Sequence, residues 1–292
     1  MSATRGQAAK ADARVVSADG TEIAFEQSGS GPAVVLVASA LADRSDTTRL
    51  AALLAEHFTV INYDRRGRGA SGDADAYAVE REIEDIAALI THAGGSASVF
   101  GSSSGAVLAL RAAAAGLNID RLALYEPPFV VADGDDGPPR DLAQQVNALL
   151  AQGRDSDAVK YFMTRVQGMP GIAVFFMKLM PRMWANLTRL ARTLPYDIAV
   201  MGDTQQGKPL NAQEWKGASV PTRVLTGGKS PAAFRRAARA VTDILPRADH
   251  RTLPGLNHGA VVMAPKKIAP QITEFLKGGA GRYSSKGEPA GA

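Results

Sequence analysis

Apolar residues along the chain follow two alternating patterns, short continuous runs and stripes at helical spacing. The runs predict strands buried on both faces: AVVLVAS, FTVINYD, ASVFGS, RLALYE, PTRVLTG and DHRTLP. Between them, apolar residues three and four apart predict helices, most clearly over residues 79–92. Two shorter strands, joined at the turn signal Asp19-Gly20, come first. This order predicts an α/β fold with a mostly parallel, doubly wound sheet and helices on both faces.

The strand pattern is interrupted once, over residues 127–216, where the chain reads as helices and loops. We interpret this segment as a helical cap inserted into a core formed by residues 14–126 and 217–277. The ends, residues 1–13 and 278–292, are rich in Gly, Ala, Ser and Lys and lack periodicity, which predicts disordered tails.

Composition excludes several classes of function. Of the 292 residues, 46% are hydrophobic and 21% are charged, as in ordinary globular proteins. The formal net charge of +4 comes partly from the two ends, and the body lacks basic patches with interleaved aromatic residues, so we expect no nucleic-acid partner. Because there are no cysteines, disulfides, thiolate metal sites and a cysteine nucleophile are excluded.

The sequence gives no sign of a membrane. Its N-terminal segment lacks the apolar region of a secretory signal. The most apolar run of the predicted cap, GIAVFFMKLM, is 10 residues long, too short to span a bilayer. We therefore expect a cytoplasmic protein without membrane partners, and the sequence carries no signal for an oligomeric state.

The stretch SVFGSSSGAVLAL contains a candidate nucleophile. Its GSSSG segment matches G-x-S-x-G with Ser103 at the centre, between a predicted strand and a predicted helix. In such a sharp turn the central side chain projects from the sheet, and the small flanking residues let the chain close. The side chains of Ser102 and Ser104 would point elsewhere. The alternative is an ordinary Ser/Gly turn that caps a helix.

A second glycine motif, GRGASG at residues 67–72, matches G-x-G-x-x-G literally. A dinucleotide site needs a helix to begin at these glycines, so that its N-terminus faces the pyrophosphate. Here DADAYA follows, with no helical stripe before Val79. We therefore expect no nucleotide cofactor.

One of the four histidines is well placed to act as a base. Functional groups of doubly wound sheets gather at the carboxyl ends of the strands. His57 and His92 precede strands and His250 lies near the start of one, whereas His258 follows a strand in the loop LPGLNHGAV. If a serine is activated here, His258 is the base. The alternative is an ordinary loop histidine on the surface.

These features together resemble the α/β-hydrolase superfamily. DRRGRGAS is similar to its D-x-R-G-x-G-x-S turn, GSSSG to its nucleophile elbow and LPGLNH to the loop of its histidine, over about residues 14–277. The resemblance implies that the backbone amides of Ala40 and Ser104 form the oxyanion hole. Ala38-Ser39 stands where the superfamily commonly has His-Gly, but backbone donors do not depend on those side chains.

The acid of the expected triad is displaced. The superfamily places it after the strand that follows the cap, where this chain has Lys229, Ser230 and Pro231, and the next carboxylate, Asp243, comes late in the following helix. Glu126 ends the strand after the nucleophile's helix, a position that resembles fungal zearalenone lactonases and, with a different nucleophile, some haloalkane dehalogenases. We predict that Glu126 orients the histidine. The alternative is a glutamate paired with an arginine at the cap hinge.

Methionine and aromatic residues are concentrated in the predicted cap. Five of the eight methionines lie within residues 162–184. Such side chains form either the core of a helical cap or a wall that adapts to a bulky apolar ligand. On the second interpretation the substrate-binding residues are Phe176, Met177, Met180 and Trp184.

The sequence as a whole predicts a serine hydrolase that cleaves a carboxylic ester or lactone of a bulky apolar small molecule through an acyl-enzyme, with no cofactor or metal. Ser103 is the nucleophile, His258 the base and Glu126 its acid partner. A serine argues against haloalkane dehalogenases and epoxide hydrolases of this fold, which use aspartate. A thioesterase or cyclisation enzyme of polyketide-type tailoring, another reaction of the superfamily such as C–C bond hydrolysis, and a non-catalytic ligand-binding homologue stay open as alternatives.

Overall fold

The computed structural model describes residues 11–135 and 137–278. The strands of its single sheet are β1 (Ala11–Val16), β2 (Glu22–Ser28), β3 (Ala33–Val37), β4 (Thr59–Tyr63), β5 (Ala97–Ser102), β6 (Ile119–Tyr125), β7 (Thr222–Gly227) and β8 (Ala248–Leu253). They lie in the spatial order β1-β2-β4-β3-β5-β6-β7-β8. Only β2 runs antiparallel to its neighbours, β1 and β4. The predicted hairpin and mostly parallel sheet are confirmed.

Helices fill the connections between the strands. In the core they are α1 (Arg44–Leu54), α2 (Val79–His92), α3 (Ser104–Ala114), α10 (Ala232–Ile244), α11 (Ala260–Met263) and α12 (Pro265–Leu276). Between β6 and β7 they are α4 (Leu142–Ala151), α5 (Asp155–Arg165), α6 (Gly171–Lys178), α7 (Pro181–Leu190), α8 (Leu194–Met201) and α9 (Ala212–Trp215). A short 3-10 helix, Ala191–Thr193, joins α7 to α8. The helix predicted over residues 79–92 has those bounds.

The continuous apolar runs form strands because both faces of the sheet are covered. One hydrophobic cluster packs β5 and its neighbours against α2, α3 and α10, and a second packs the opposite face against α1 and α12. Val34, Val35 and Leu36 of β3 point alternately into the two clusters and are fully buried. A strand in this position has no polar face, which explains why its sequence does not alternate.

The sheet begins earlier than the sequence predicts. Residues 11–13, expected to belong to a disordered tail, are part of β1 and pair with β2 as far as Gln27. The alanines there do not make an apolar run, so the backbone pairing had no sequence signal of its own. The rest of the predicted tails, residues 1–10 and 279–292, lies outside the described residues.

The inserted segment is helical, and its described residues, 127–135 and 137–216, contain no strand. A third hydrophobic cluster, centred on Val146, Val159 and Val174, forms the core of α4 to α7. The end of the segment packs on the core. Trp215 of α9, Val200 and Met201 belong to the main core, where α8 and α9 pack on α3. The segment thus rejoins the core well before residue 216.

Helix α8 connects the two parts. Its Leu194 lies in the hydrophobic cluster of the cap, whereas Val200 lies in the cluster of the core. Within the described ranges, no helix has the length and apolarity that crossing a bilayer requires.

Candidate active site

Ser103 occupies a sharp turn between β5 and α3. Its φ of 53° and ψ of −125° lie in a region that residues with a side chain rarely adopt. Glycine is required on both sides: a Cβ on Gly101 would lie 2.4 Å from the carbonyl oxygen of Gly105, and one on Gly105 would lie 2.4 Å from that of Val37. The GSSSG segment therefore forms the tight strand-to-helix turn that its pattern predicts.

The structure brings together the three residues predicted to form a triad. His258 Nε2 lies 3.1 Å from Ser103 Oγ, and His258 Nδ1 lies 2.8 Å from Glu126 Oε2. Glu126 is fully buried, whereas a third of the His258 side chain is exposed. With its proton on Nδ1, the imidazole donates to the carboxylate and accepts from the serine hydroxyl. This arrangement allows the ring to remove the hydroxyl proton.

Both oxygens of the Glu126 carboxylate have partners. Oε2 faces the imidazole, and Oε1 accepts a hydrogen bond of 2.6 Å from the backbone N–H of Gly227. Glu126 itself has a φ of 49°, immediately before Pro127. No arginine pairs with this carboxylate in the part of the chain that the structure describes, so the arrangement does not match the alternative of an arginine at the cap hinge.

The position after β7 carries no acid. Asp243 is exposed, at the last turn of α10. The backbone of the β7 loop instead folds against the loop of the histidine, since the Lys229 N–H donates to the carbonyl of Leu256. Ser230 is buried at the place where the superfamily's acid is expected.

Two aromatic residues that the sequence analysis missed hold the histidine. The Phe234 ring stacks on the His258 imidazole, with centroids 4.7 Å apart and planes inclined by 22°. The Tyr125 hydroxyl donates a hydrogen bond of 2.6 Å to the carbonyl of Asn257. Burial, and next the charge of Glu126, raises the pKa of the Tyr125 phenol, which therefore stays protonated and able to donate. Neither residue belongs to a motif, and only their places beside strand ends could have pointed to them.

The two predicted oxyanion-hole amides follow the carboxyl ends of two neighbouring strands, β3 and β5. Ala40 lies in the turn between β3 and α1, and Ser104 is the first residue of α3. Within the described residues, neither N–H donates to another protein group. The Ser104 amide also belongs to a helix N-terminus, whose dipole favours negative charge. Both donors are thus available to a ligand oxygen.

Backbone strain is concentrated at these positions. Among the described residues other than glycine, positive φ occurs at Leu41, Ser103 and Glu126. The three follow β3, β5 and β6, and they include the candidate nucleophile, its candidate acid partner and the residue after Ala40. Such conformations cost about 1–3 kcal/mol each and persist where the surrounding structure enforces them. Their grouping at the carboxyl edge of the sheet agrees with a candidate functional site there.

The arginines of the DRRGRGAS turn are buried beneath the site, which the motif alone did not reveal. Arg65 makes a two-pronged ion pair with Glu82 and contacts Asp197 of α8 at 2.7 Å. Arg68 contacts the other oxygen of Asp197 at 2.7 Å. Burial opposes the charge on Asp197, but Arg68 and Arg65 together hold the pKa of its carboxyl below the ordinary value. The cations Arg65 and Arg68 and the anions Glu82 and Asp197 thus form one buried network of ion pairs next to Ser104.

The four predicted substrate-binding residues differ in their surroundings, and their role as a substrate wall stays a prediction. Phe176 and Met180 are 60% and 56% exposed to solvent. Met177 and Trp184 pack against the hydrophobic cluster of the cap, where the Trp184 indole donates to the Ser156 hydroxyl. Sequence periodicity could not assign these directions, because every face of α6 carries apolar residues. The described residues also hold no group of three or more histidine, aspartate or glutamate side chains suited to a metal ion.

Comparisons with known proteins agree with this geometry. The model of the alpha/beta hydrolase family matches residues 33–271. The chain is similar to a crystal structure of an alpha/beta hydrolase from Sphaerobacter thermophilus DSM 20745, with 52% identity, coverage of 90% of this chain and 99% of that one, and a TM-score of 0.83. It is also similar to the 2-hydroxy-6-oxo-6-phenylhexa-2,4-dienoate hydrolase of Rhodococcus sp. strain RHA1, with 19% identity, coverage of 92% and 99%, and a TM-score of 0.69. At that identity the likeness concerns the fold alone.

A curated relative, the uncharacterized hydrolase YraK of Bacillus subtilis (strain 168), is 39% identical over 95 residues. The matched stretch makes up 31% of this chain and spans 35% of the relative's length. This partial match adds a third hydrolase to the comparison without bearing on a substrate.

Proposed function

The chain belongs to the α/β-hydrolase family, and from this premise we propose that it is a serine hydrolase that cleaves a carboxylic ester or lactone of a bulky apolar small molecule. The observation that carries the proposal is the continuous series from Ser103 through His258 to Glu126, with distances of 3.1 and 2.8 Å. Each contact has the length of a hydrogen bond, and the order of the groups is that of a nucleophile, a base and an orienting acid.

The first half of the reaction forms an acyl-enzyme. His258 Nε2 takes the proton of Ser103 as its Oγ attacks the substrate carbonyl. Glu126 keeps the other ring proton on Nδ1 and stabilises the imidazolium that forms. The amides of Ala40 and Ser104 donate to the tetrahedral oxyanion. The intermediate then collapses, and the imidazolium protonates the departing alcohol oxygen.

The second half returns the enzyme to its starting state. His258 removes a proton from water, which attacks the acyl-enzyme carbonyl. The same amides stabilise the second tetrahedral intermediate, and the imidazolium gives its proton to Ser103 as the acid product leaves. For a lactone, the alcohol and the acid are two ends of one product.

The surroundings of the triad support an apolar substrate. The ring of Phe234 covers the imidazole, and the buried Leu41 follows the predicted oxyanion donor at Ala40. An apolar side chain at each of these places favours a substrate whose ester or lactone is flanked by hydrocarbon.

A fluorophosphonate probe tests whether Ser103 is an activated nucleophile. We expect the probe to label Ser103, as mapped by peptide mass spectrometry, and the protein to hydrolyse members of a panel of p-nitrophenyl esters, thioesters and apolar lactones. Ser103→Ala should abolish labelling and lower kcat on the best substrate by roughly 10⁴-fold or more. Ser102→Ala changes the buried neighbouring serine and serves as the matched control, with activity close to wild type.

Absence of labelling in the folded wild-type protein, or wild-type turnover by Ser103→Ala, would contradict the proposal and favour the ligand-binding alternative. Turnover of thioesters far above oxygen esters would keep the serine mechanism but change the substrate class.

A further inference from the structure

Asp197 is a buried carboxylate that contacts three groups beneath the predicted oxyanion hole. It lies on α8, in the segment inserted between β6 and β7. Its Oδ1 accepts hydrogen bonds from the Ser104 hydroxyl at 2.8 Å and from Arg65 Nη1 at 2.7 Å. Its Oδ2 accepts from Arg68 Nη2 at 2.7 Å. Only 2% of the side chain is exposed, so solvent does not compete for these contacts.

The two arginines extend the network to the loop that carries Ala40. Arg68 Nη1 donates to the carbonyl oxygen of Ser39 at 2.7 Å and to that of Ala42 at 3.1 Å. Arg65 Nη1 lies 3.3 Å from the carbonyl oxygen of Ala38. The carbonyls on both sides of Ala40 are thus tied, through guanidinium groups, to the carboxylate of Asp197.

Planarity of the peptide bond gives these contacts a direct consequence. The Ser39 carbonyl and the Ala40 N–H belong to one rigid trans peptide unit and point in opposite directions. By holding the Ser39 oxygen, Arg68 sets the direction of the Ala40 N–H. The Ser104 hydroxyl contact fixes the first residue of α3, whose N–H is the other donor. The carboxylate of Asp197 therefore contacts Ser104 directly and the peptide unit of Ala40 through Arg68, so that it acts on both predicted oxyanion donors.

Resting on the proposed function above, we propose that Asp197 is the positioning residue of the oxyanion hole. It touches no reacting atom. It aims the Ala40 amide through Arg68 and the Ser104 amide through the Ser104 hydroxyl, so that both N–H groups converge on one oxygen. Since Asp197 comes from the inserted segment, the geometry of the hole depends on how α8 is seated against the core.

The test is Asp197→Asn, which keeps the size of the side chain but removes its charge and part of its accepting capacity. Loss of one oxyanion donor costs roughly 10²- to 10³-fold in kcat, so misaligned donors should cost about 10- to 100-fold. KM should stay within about threefold, because the ground-state carbonyl depends little on the hole. Affinity for an apolar trifluoromethyl ketone, which forms a tetrahedral adduct with Ser103, should fall in parallel with kcat.

Asp85→Asn is the matched control. Asp85 is as buried as Asp197 and makes a two-pronged pair with Arg66 at 2.8 and 2.6 Å, and the other partners of Arg66 are Asp19 and the Arg81 carbonyl, outside the Ala40 loop and Ser104. It should lose thermal stability while kcat and ketone affinity stay within about threefold of wild type. Equal loss of kcat in the two variants would overturn the positioning role in favour of a general structural one.

Ser104→Ala provides a second variant that keeps every ion pair and removes only the hydroxyl link. We expect kcat to fall by about 3- to 10-fold with KM unchanged. If Asp197→Asn fails to fold, Ser104→Ala alone tests the proposal. A kcat and a ketone affinity equal to those of the wild type would then overturn it. A rise of kcat in folded Asp197→Asn would also overturn it, because the carboxylate would then oppose the oxyanion by its charge.

Ser103→Ala, measured alongside, separates this inference from the proposed function. If Ser103→Ala is inactive while Asp197→Asn and Ser104→Ala behave as wild type, only the positioning role fails. If Ser103→Ala keeps its activity, the serine mechanism itself is wrong.

Discussion

The carboxyl ends of β6 and β7 lie side by side, with Tyr125 opposite Leu225, but they contribute different kinds of group to the site. The end of β6 supplies a side chain, the carboxylate of Glu126. The end of β7 supplies a backbone group, the N–H of Gly227, which donates to that carboxylate at 2.6 Å. The end of β6 thus carries the negative charge of the carboxylate, and the N–H dipole at the end of β7 fixes the position of that carboxylate.

Close packing explains why β7 carries no side chain at this point. A Cβ on Gly227 would lie 2.4 Å from the carbonyl oxygen of Leu256, in the loop that leads to His258. The N–H of Gly228 donates to the carbonyl of Leu253 and draws the two loops together. The comparison teaches that in this chain the candidate acid comes from the end of β6, and that the end of β7 supplies the donor that orients it.

The largest effect should come from removing the charge at the end of β6. Glu126→Gln keeps the shape, but it no longer stabilises the imidazolium and permits the wrong tautomer. We expect kcat to fall by roughly 10²- to 10⁴-fold with little change in the free energy of unfolding. Steady-state kinetics and thermal melts measure both quantities.

Asp243→Asn is the control for this prediction, because Asp243 is the first carboxylate after β7. Its kcat should stay close to wild type. A greater loss of kcat in Asp243→Asn than in Glu126→Gln would reverse the assignment of the two strand ends.

A smaller effect should follow from adding a methyl group at the end of β7. Gly227→Ala places a Cβ against the backbone of Leu256, so the loop of His258 must move and the hydrogen bond to Glu126 lengthens. We expect a loss of about 1–3 kcal/mol in the free energy of unfolding, typical of overpacking, and a fall of about 10-fold in kcat.

Gly255→Ala in the same region is a useful contrast, since its φ of 74° strains alanine but no atom lies within 4 Å of the added Cβ. It should lower stability through the backbone alone and leave kcat nearly unchanged. If the two glycine variants lose kcat equally, close packing at Gly227 is not what matters.

The smallest effect concerns Phe234, which the connection after β7 places on the imidazole. A ring stacked on an imidazolium contributes about 0.5–1 kcal/mol. Phe234→Leu should therefore lower kcat about two- to fivefold, while Phe234→Tyr retains the wild-type value. Matched melting temperatures would show that the change is local, and an equal loss in the tyrosine variant would exclude stacking as its cause.

The parts of the molecule that depend on local pattern could be predicted from the sequence. The buried strands, the sharp turn at Ser103 and the loop of His258 each have a signal within about ten residues. The candidate acid at Glu126 followed from strand order, once the position after β7 had no carboxylate. Predicting these features requires no information about side chains that are distant in the sequence.

What could not be predicted depends on contacts between distant parts of the chain. Arg68 and Asp197 meet across 129 residues, and no local pattern links them. The directions of Phe176 and Met177 cannot be derived from the sequence, because apolar residues occur on every face of α6. The packing of α8 is of the same kind, since α8 carries apolar residues toward both the cap and the core.

The position of Asp197 also limits how this enzyme can be redesigned by exchange of its helical insertion. A chimera that replaced residues 127–216 with a foreign segment would leave Arg68 buried without its carboxylate, and Arg65 with Glu82 alone. Breaking a buried pair from one side costs about 3–5 kcal/mol, a large part of the 5–15 kcal/mol that keeps a typical domain folded. A junction placed before α8, within residues 191–193, would keep the native carboxylate. Exchange of the cap helices should therefore succeed with a junction at residues 191–193 and fail when residues 127–216 are replaced as a whole.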